Sequence, residues 1–289
     1  MKPRFRQDYR SLFWSLLLFP LVPAIGYARP SLAVWLLPFN LYLAYCAGVL
    51  THNHVHCPVF VRRTANVAYS AWLTVFYGCP IFTWVPTHTQ NHHRFLDGPE
   101  DVTRTTRRGS RNTLLHALSY PFWSAWWQTA LVSRYVKDAR VTRSRRLREI
   151  RLQYLSLLGA HTLLLTLAVL LQGPAVGLGI YVLGYGLPAA SATWWMMFTN
   201  YVQHVECDTG SQHNHSRNFV SPFWNWFVFD AGYHTVHHEH PGVHWSRYAE
   251  LHRARSAQID PTLNQRSIFQ YCLARYVLGR GARDTTVTA

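Results

Sequence analysis

Nine histidines in this chain have the residue spacing of metal ligands. Three clusters follow the patterns HxxxH, HxxxHH and HxxHH, and a fourth element, Asn200-x3-His204, contributes one more histidine. On a helix, residues three or four apart share a face, so each cluster can present its imidazoles in one direction. His93 is turned by about 100° from His92 and could reach a second ion. The clustered histidines are His52 and His56; His88, His92 and His93; and His234, His237 and His238.

The number of clustered histidines indicates two metal ions. Imidazole is a common ligand for zinc, copper, iron and nickel. Nine histidines are too many for one tetrahedral zinc ion and suit two ions with open coordination positions. The histidines alone leave the identity of the metal open.

Four uncharged segments must position these clusters. No Asp, Glu, Lys or Arg occurs from Leu152 through Val205. Gln172-Gly173-Pro174 divides this run into two stretches of membrane-spanning length. A second uncharged pair occurs earlier, separated only by Arg29-Pro30. The predicted spans, in two hairpins, cover residues 11–28, 31–51, 153–171 and 175–201. A cleaved signal peptide over residues 1–28 is disfavoured, because another span follows at once.

The basic residues predict how the spans are oriented. The chain has a formal charge of +15, and Arg29 is the only basic residue in either short hairpin loop. By the positive-inside rule, both termini and residues 52–152 and 202–289 are cytoplasmic. Uncharged segments at 64–93 and 112–133 have basic residues on both sides and are predicted to be interfacial helices. Because topology accounts for the excess charge, nucleic acid is not an expected partner.

These patterns predict the fold class. We expect an all-α integral membrane protein with four transmembrane helices in two hairpins, plus interfacial helices and a cytoplasmic histidine-rich cap. Residues 1–289 are expected to form a single domain. All four histidine elements fall on the predicted cytoplasmic side, although the topology was derived without them.

The remaining histidines and the nearby carboxylates have other predicted roles. His54 points away from the face shared by His52 and His56. His161, inside the third span, is expected to make a helix–helix hydrogen bond. Asp101 and Asp230 are expected to accept the second N–H of metal-bound imidazoles. Four more histidines are placed near the site entrance or on the surface: His213 and His215 at the entrance, and His116 and His252 on the surface.

The histidine motifs resemble those of the membrane fatty acid desaturases and their hydroxylase and ketolase relatives. The matching residues are His52-x3-His56, His88-x3-His92-His93 and Gly232-Tyr233-His234-x2-His237-His238, within about residues 31–245. The resemblance implies a cytoplasmic di-iron centre (Fe2+/Fe3+) bound by the nine histidines, with Asn200 reaching iron through water. It also implies O2 as co-substrate, an acyl-lipid or acyl-thioester substrate, and electrons from an external donor such as ferredoxin or cytochrome b5.

On this resemblance we expect the chain to introduce a double bond into a fatty acyl chain, in the cytoplasmic (inner) membrane of a bacterium. The enzyme alternative is a carotenoid ketolase or lipid hydroxylase, against which the Asn200-x3-His204 element favours an acyl desaturase. The non-enzyme alternative is a membrane protein that binds metal without redox turnover. A transporter should carry its polar ligands within the bilayer, whereas these clusters follow the spans.

Overall fold

The structure is a computed structural model that describes residues 2–281, and it is mostly helical. Two strands, β1 (Asn218–Phe219) and β2 (Asn264–Gln265), pair in parallel. The helices that matter here are α1 Asp8–Ala28, α2 Pro30–His56, α3 Arg63–Tyr77, α4 Leu114–Val141, α5 Arg145–Gln172, α6 Pro174–His204, α7 Pro222–Phe227, α8 His234–Glu239, α9 Tyr248–Arg255 and α10 Ile268–Cys272.

The predicted four-span, all-α fold class is confirmed. Within residues 2–281, four helices are long and apolar enough to cross a membrane, namely α1, α2, α5 and α6. Each contains one predicted span. Helix α5 begins at Arg145, whereas the predicted span began at residue 153. The basic residues at 145–151 therefore form the first two turns of the spanning helix.

Four π-helical segments occur in the described residues, at Trp14–Leu18, Val85–His92, Val182–Gly186 and Leu273–Val277. The second contains Pro86, and the first and third end two residues before a proline, Pro20 and Pro188. Proline lacks an N–H and its ring clashes with the carbonyl four residues earlier, which disturbs an α-helical ladder. Pro38 of α2 and Pro121 of α4 lie in α-helices without a π-segment, so proline alone does not specify one. π-Helical turns are frequent at functional sites.

The chain divides into two compact units. The first unit comprises Met1–Pro86 and Ala130–Met196, and the second comprises Thr87–Thr129 and Met197–Ala289. The prediction of a single domain over residues 1–289 stays a prediction.

Within the first unit, the spanning helices and α3 pack against one another. Helix α1 packs on α2, α3 packs against both α2 and α5, and α5 forms a hairpin with α6. Gly177 permits this hairpin, because a Cβ atom there would lie 2.5 Å from the carbonyl oxygen of Ala168. Very little of the apolar stretch of α5 is buried, as expected for a helix that faces lipid.

The two predicted interfacial segments are helical but lie outside the four candidate spans. The segment at 64–93 contains α3, a 3-10 turn at Ile81–Thr83 and the π-helix Val85–His92. The segment at 112–133 is part of α4, which continues to Val141. Their interfacial location stays a prediction.

In the second unit, short helices and loops surround the last histidine cluster. Asn225 of α7 ties this region together, since its amide donates to Phe219 O at 2.7 Å and accepts from Gly232 N at 3.0 Å. A Cβ atom at residue 232 would lie 2.2 Å from Phe219 O, so only glycine fits immediately before Tyr233 and α8.

Candidate metal centre

Four histidines of the second unit converge on one buried point. His204 ends α6, His92 ends the π-helix Val85–His92, and His234 and His238 share one face of α8. One ring nitrogen of each lies within 4.8 Å of the others, and all four residues are buried. We call His92, His204, His234 and His238 the four-histidine group.

The contacts inside the four-histidine group cannot all be hydrogen bonds. Nε2 of His204 lies 3.1 Å from Nε2 of His92 and 3.0 Å from Nε2 of His234. Nε2 of His234 also lies 3.1 Å from Nε2 of His238. Each ring nitrogen has one in-plane position, which holds either a proton or a lone pair. The Nε2 atoms of His204 and His234 each approach two partners, so protons cannot satisfy the whole group.

A bound cation satisfies this arrangement. Two ligand nitrogens that lie at right angles about 2.1 Å from one ion are roughly 3 Å apart, close to the observed separations. All the donors are imidazoles, which suit iron, zinc, copper and nickel. The residues present therefore fit a transition-metal ion.

Groups on the far side of the rings orient two of these imidazoles. Nδ1 of His92 donates to Oδ2 of Asp101 at 2.7 Å. That Asp101 accepts from a metal-bound imidazole stays a prediction. Nδ1 of His204 lies 3.1 Å from the carbonyl oxygen of His215 and must be the donor, because a carbonyl only accepts. The proton of His204 is therefore on Nδ1, and its Nε2 lone pair points into the group.

Shifted pKa values keep Asp101 and His238 in the protonation states that suit a bound cation. Burial favours the neutral form of Asp101, but the His92 imidazole and the Thr103 hydrogen bonds outweigh it and hold the pKa of Asp101 below its usual range. Burial, followed by repulsion from neighbouring imidazoles, lowers the pKa of His238 well below its usual value. A neutral His238 keeps a lone pair for the metal.

A second group in the same unit contains His88, His93 and His237. One ring nitrogen of each lies within 4.8 Å of the others. Nε2 of His93 lies 3.1 Å from Nε2 of His88, and Nδ1 of His237 is 3.0 Å from the hydroxyl of Tyr248. We call these residues the three-histidine group.

The pairing of His88 differs from the prediction. The α-helical spacing paired His88 with His92 and turned His93 towards another ion. In the structure the rings of His88 and His92 stack at 5.1 Å, but Nε2 of His88 lies beside Nε2 of His93. The reason is that residues 85–92 form a π-helix, whose wider turn aligns residues i and i+5. His92 thereby enters the four-histidine group.

The first histidine cluster lies in the first unit, in the last turns of α2. The rings of His52 and His56 are 4.9 Å apart, so the two residues share a face as their spacing predicts. His54 points elsewhere. Its Nδ1 accepts from Val59 N at 3.2 Å, and its Nε2 lies 3.2 Å from the Ser70 hydroxyl.

Asn200 and Asp230 stay predictions as site residues. Asn200 lies one turn before His204, and its amide nitrogen donates to the Tyr120 hydroxyl at 3.0 Å. Tyr120 in turn donates to the carbonyl oxygen of Thr103. The backbone of Asp230 has φ +57° and donates to Asn225 O at 3.0 Å, which places it in the turn before α8.

The structure also shows the surroundings of three histidines outside the clusters. His161 makes the expected helix–helix hydrogen bonds, with Nε2 2.9 Å from Val75 O and Nδ1 2.9 Å from the Tyr181 hydroxyl. The prediction that His252 lies on the surface is wrong, because it is buried against Tyr233. His215 is also buried, and its ring lies 5.5 Å from that of His238.

Several residues around the centre were not predicted from the sequence. Thr103 donates to Oδ1 of Asp101 from both its N–H, at 2.8 Å, and its hydroxyl, at 2.7 Å. Asp97 lies beside it, and its N–H donates to Oδ2 of Asp101 at 2.9 Å. An Asp-x-Thr pattern at 101–103 is a weak signal for such a carboxylate clamp. Tyr248 and the carbonyl of His215 have no sequence signal.

Comparison with known families agrees with this site. The fatty acid desaturase family matches residues 27–268. The chain belongs to the fatty acid desaturase family. No curated protein and no solved structure gives a significant match. The fatty acid desaturases are oxidoreductases that act on fatty acyl chains, use a di-iron centre and work in a membrane. With its four apolar helices, the chain is an integral membrane protein.

Proposed function

We propose that this protein is an acyl desaturase that removes two hydrogens from adjacent methylenes of a fatty acyl chain. The substrate loses two hydrogen atoms and gains one carbon–carbon double bond. The two substrate hydrogens combine with one O2, two electrons from a separate donor and two protons, and leave as two waters. The observation that carries the proposal is the convergence of four buried Nε2 atoms that protons alone cannot satisfy.

An unactivated methylene cannot be dehydrogenated by acids, bases or nucleophiles among these side chains. When bound, two irons would supply the activation of O2 that this chemistry requires. The protein would bind and orient them. We propose that Asn200 acts through water and that the ligands are the nine clustered histidines, His52, His56, His88, His92, His93, His204, His234, His237 and His238.

The surrounding residues hold the ligands in place and control their protons. Asp101 keeps the proton of His92 on Nδ1, and the His215 carbonyl does the same for His204. Such outer contacts fix the ring orientation and raise the basicity of the imidazole. The family supports a fatty acyl substrate, and we propose an acyl-lipid or acyl-thioester.

The proposed setting follows from the charge distribution. The basic residues flank the spans on one predicted side, so we place the site and both termini in the cytoplasm of a bacterial inner membrane. The chain shows no dinucleotide-binding motif in its sequence. We therefore propose an external electron donor such as ferredoxin or cytochrome b5, drawn to this basic side.

The experiment is expression of the full chain with a reductase and ferredoxin, followed by analysis of membrane acyl chains. We expect new double bonds that depend on O2 and on the donor. A host that makes carotene is tested in parallel. Unchanged acyl chains together with oxygenated carotenoid would assign a ketolase, and hydroxylated acyl chains would assign a hydroxylase.

Metal analysis of the purified protein tests the redox part separately. We expect about two irons per chain, from nine histidines that suit two open sites. Stoichiometric zinc without any O2-dependent product would contradict the proposal and favour a metal-binding membrane protein without redox turnover.

A further inference from the structure

A cavity in the first unit lies apart from the histidine groups. It has a volume of about 390 Å3 and is lined by the last turn of α2, the start of α3, residues 81–85 and the beginning of α5. Its walls include Arg4, Arg63 and Arg146. We call it the arginine cavity. A water occupies only ~30 Å3 of liquid, so the cavity has room for far more than a single hydrated ion.

Positive charge dominates the mouth of the arginine cavity. Arg4, Arg63 and Arg146 are all exposed, whereas Glu149 is the single carboxylate among the lining residues in the described part of the chain. Arg63 is partly neutralised, since it donates to Oε1 of Glu149 at 2.5 Å. The lining therefore carries an excess of guanidinium groups, which suit phosphate oxygens geometrically and electrostatically.

Each guanidinium is held in place and keeps further donors. Nε of Arg4 donates to Phe60 O at 3.1 Å, and Arg146 lies over the ring of Tyr135 at 4.5 Å. Arginine has five N–H donors, so these contacts leave several for a ligand. Holding the side chains before binding reduces the entropy that an anion must overcome.

The buried part of the cavity lining is mainly apolar. Ile81, Phe82 and Ile150 line it, with 2 to 6% of their surface exposed. His54 and Gln153 are also buried there, but they accept hydrogen bonds from the backbone N–H groups of Val59 and Phe82, so both already have protein partners. The cavity therefore changes from an exposed, cationic mouth to a buried, mainly apolar interior. A free inorganic phosphate has no apolar part to contact such an interior. An amphipathic molecule can place a charged group at the mouth and an apolar group inside.

The cavity lies beside the predicted ends of two membrane spans, at residues 51 and 153. It touches Val55 in the last turn of α2 and Glu149 in the first turns of α5, and both helices are membrane spans. Basic pockets between transmembrane helices at this level bind anionic lipid head groups. We propose that the arginine cavity binds the phosphate head group of an anionic phospholipid, with the adjoining glycerol and first acyl carbons against Ile81, Phe82 and Ile150.

The test uses the full-length, detergent-purified protein and measures its thermal unfolding with added lipid. The probes are phosphatidylglycerol, phosphatidylcholine and inorganic phosphate at matched concentrations. We expect phosphatidylglycerol to raise the unfolding temperature and the other two to leave it nearly unchanged. The double variant Arg4→Gln/Arg146→Gln should bind phosphatidylglycerol roughly fivefold more weakly for each charge removed.

Two further variants separate binding from folding. Arg148→Gln removes the same charge from α5 outside the cavity lining and should bind like the wild type. Glu149→Gln removes the competing carboxylate and should bind phosphatidylglycerol more tightly, a gain that a misfolded protein cannot show. Equal binding by wild type and double variant, or no preference over phosphatidylcholine, would overturn the proposal. An equal effect of inorganic phosphate would show an anion site that does not recognise lipid.

Discussion

The four-histidine group and the surroundings of His161 use the same side chain in opposite ways. His161, on α5, has a protein partner for each ring nitrogen, Val75 O and the Tyr181 hydroxyl, both at 2.9 Å. In the four-histidine group, Nε2 atoms face other Nε2 atoms at 3.0 to 3.1 Å. A histidine with both nitrogens satisfied has no lone pair to offer a metal, whereas one whose outer nitrogen is anchored presents the other.

The two regions therefore differ in the partners of the histidine ring nitrogens. Nδ1 of His92 donates to Asp101 Oδ2 and Nδ1 of His204 donates to His215 O, and each contact leaves a lone pair on Nε2 that faces the other imidazoles. At His161 the backbone carbonyl of Val75 occupies the position that a metal would take. Variants of His204, Asp101 and His161 test this comparison.

The largest effect is expected for His204→Ala. The variant removes the nitrogen that approaches both His92 and His234 and so breaks the four-histidine group at its centre. Because loss of an outer contact alone costs ~10–100-fold, we expect more than about 100-fold loss of the proposed activity. Iron per chain should fall by about half. Retained activity with full iron would show that His204 is not a ligand.

The next largest effect is expected for Asp101→Asn. The amide keeps the shape of the carboxylate but loses the charge that holds the proton of His92 on Nδ1. We expect about 10–100-fold weaker iron binding or activity, measured by iron titration and product analysis. Asp138→Asn, at an exposed position on α4, is the matched control and should change neither. Equal behaviour of the two variants would contradict the role of Asp101.

A smaller effect, on stability alone, is expected for His161→Ala. It removes two hydrogen bonds, so the free energy of unfolding should fall by about 2 kcal/mol while iron content stays the same. Tyr181→Phe removes one of the two and should lose about half as much. Thermal unfolding and metal analysis check both. Loss of iron from either variant would mean that His161 contributes to the metal centre.

The smallest effect is a pH dependence carried by His252. Burial lowers the pKa of His252 to about 4, below its value in the unfolded chain. The neutral imidazole is therefore favoured in the fold, and its contribution is complete above pH 6.5 and lost as the pH falls towards 4. Between pH 7 and pH 5 we expect a loss of about 1–2 kcal/mol, measured by thermal unfolding.

The variant His252→Phe isolates this contribution. Phenylalanine cannot titrate and can still pack against Tyr233, whose ring lies 5.2 Å from that of His252. The stability of the variant should therefore fall less between pH 7 and pH 5 than that of the wild type. An unchanged pH dependence would show that His252 titrates normally.

Much of the fold and of the candidate site was predictable from the sequence. The uncharged run from Leu152 through Val205 predicts α5 and α6, because a lipid environment excludes charge along a whole span. The spacing of His234, His237 and His238 predicts their place together on one short helix. Such local patterns depend only on helix periodicity and on solvation.

Other features could not be predicted, because they depend on distant parts of the chain or on local departures from α-helical geometry. The start of α5 at Arg145 was missed, since a helix can extend beyond the membrane without a change in periodicity. His252 was expected on the surface, but the packing of α9 against α8 buries it. The arginine cavity joins residues almost 150 positions apart.

By itself, the sequence determined the number of spans and which residues can bind metal, since both follow from residue type and local spacing. Only the tertiary structure decided which imidazoles share a group and which nitrogen each presents. Because Val85–His92 is a π-helix, Nε2 of His88 lies beside Nε2 of His93, and Nε2 of His92 lies beside Nε2 of His204. Asp101 and the His215 carbonyl then place the protons of His92 and His204 on Nδ1. A proton position depends on a partner in space, and residue spacing does not specify that partner.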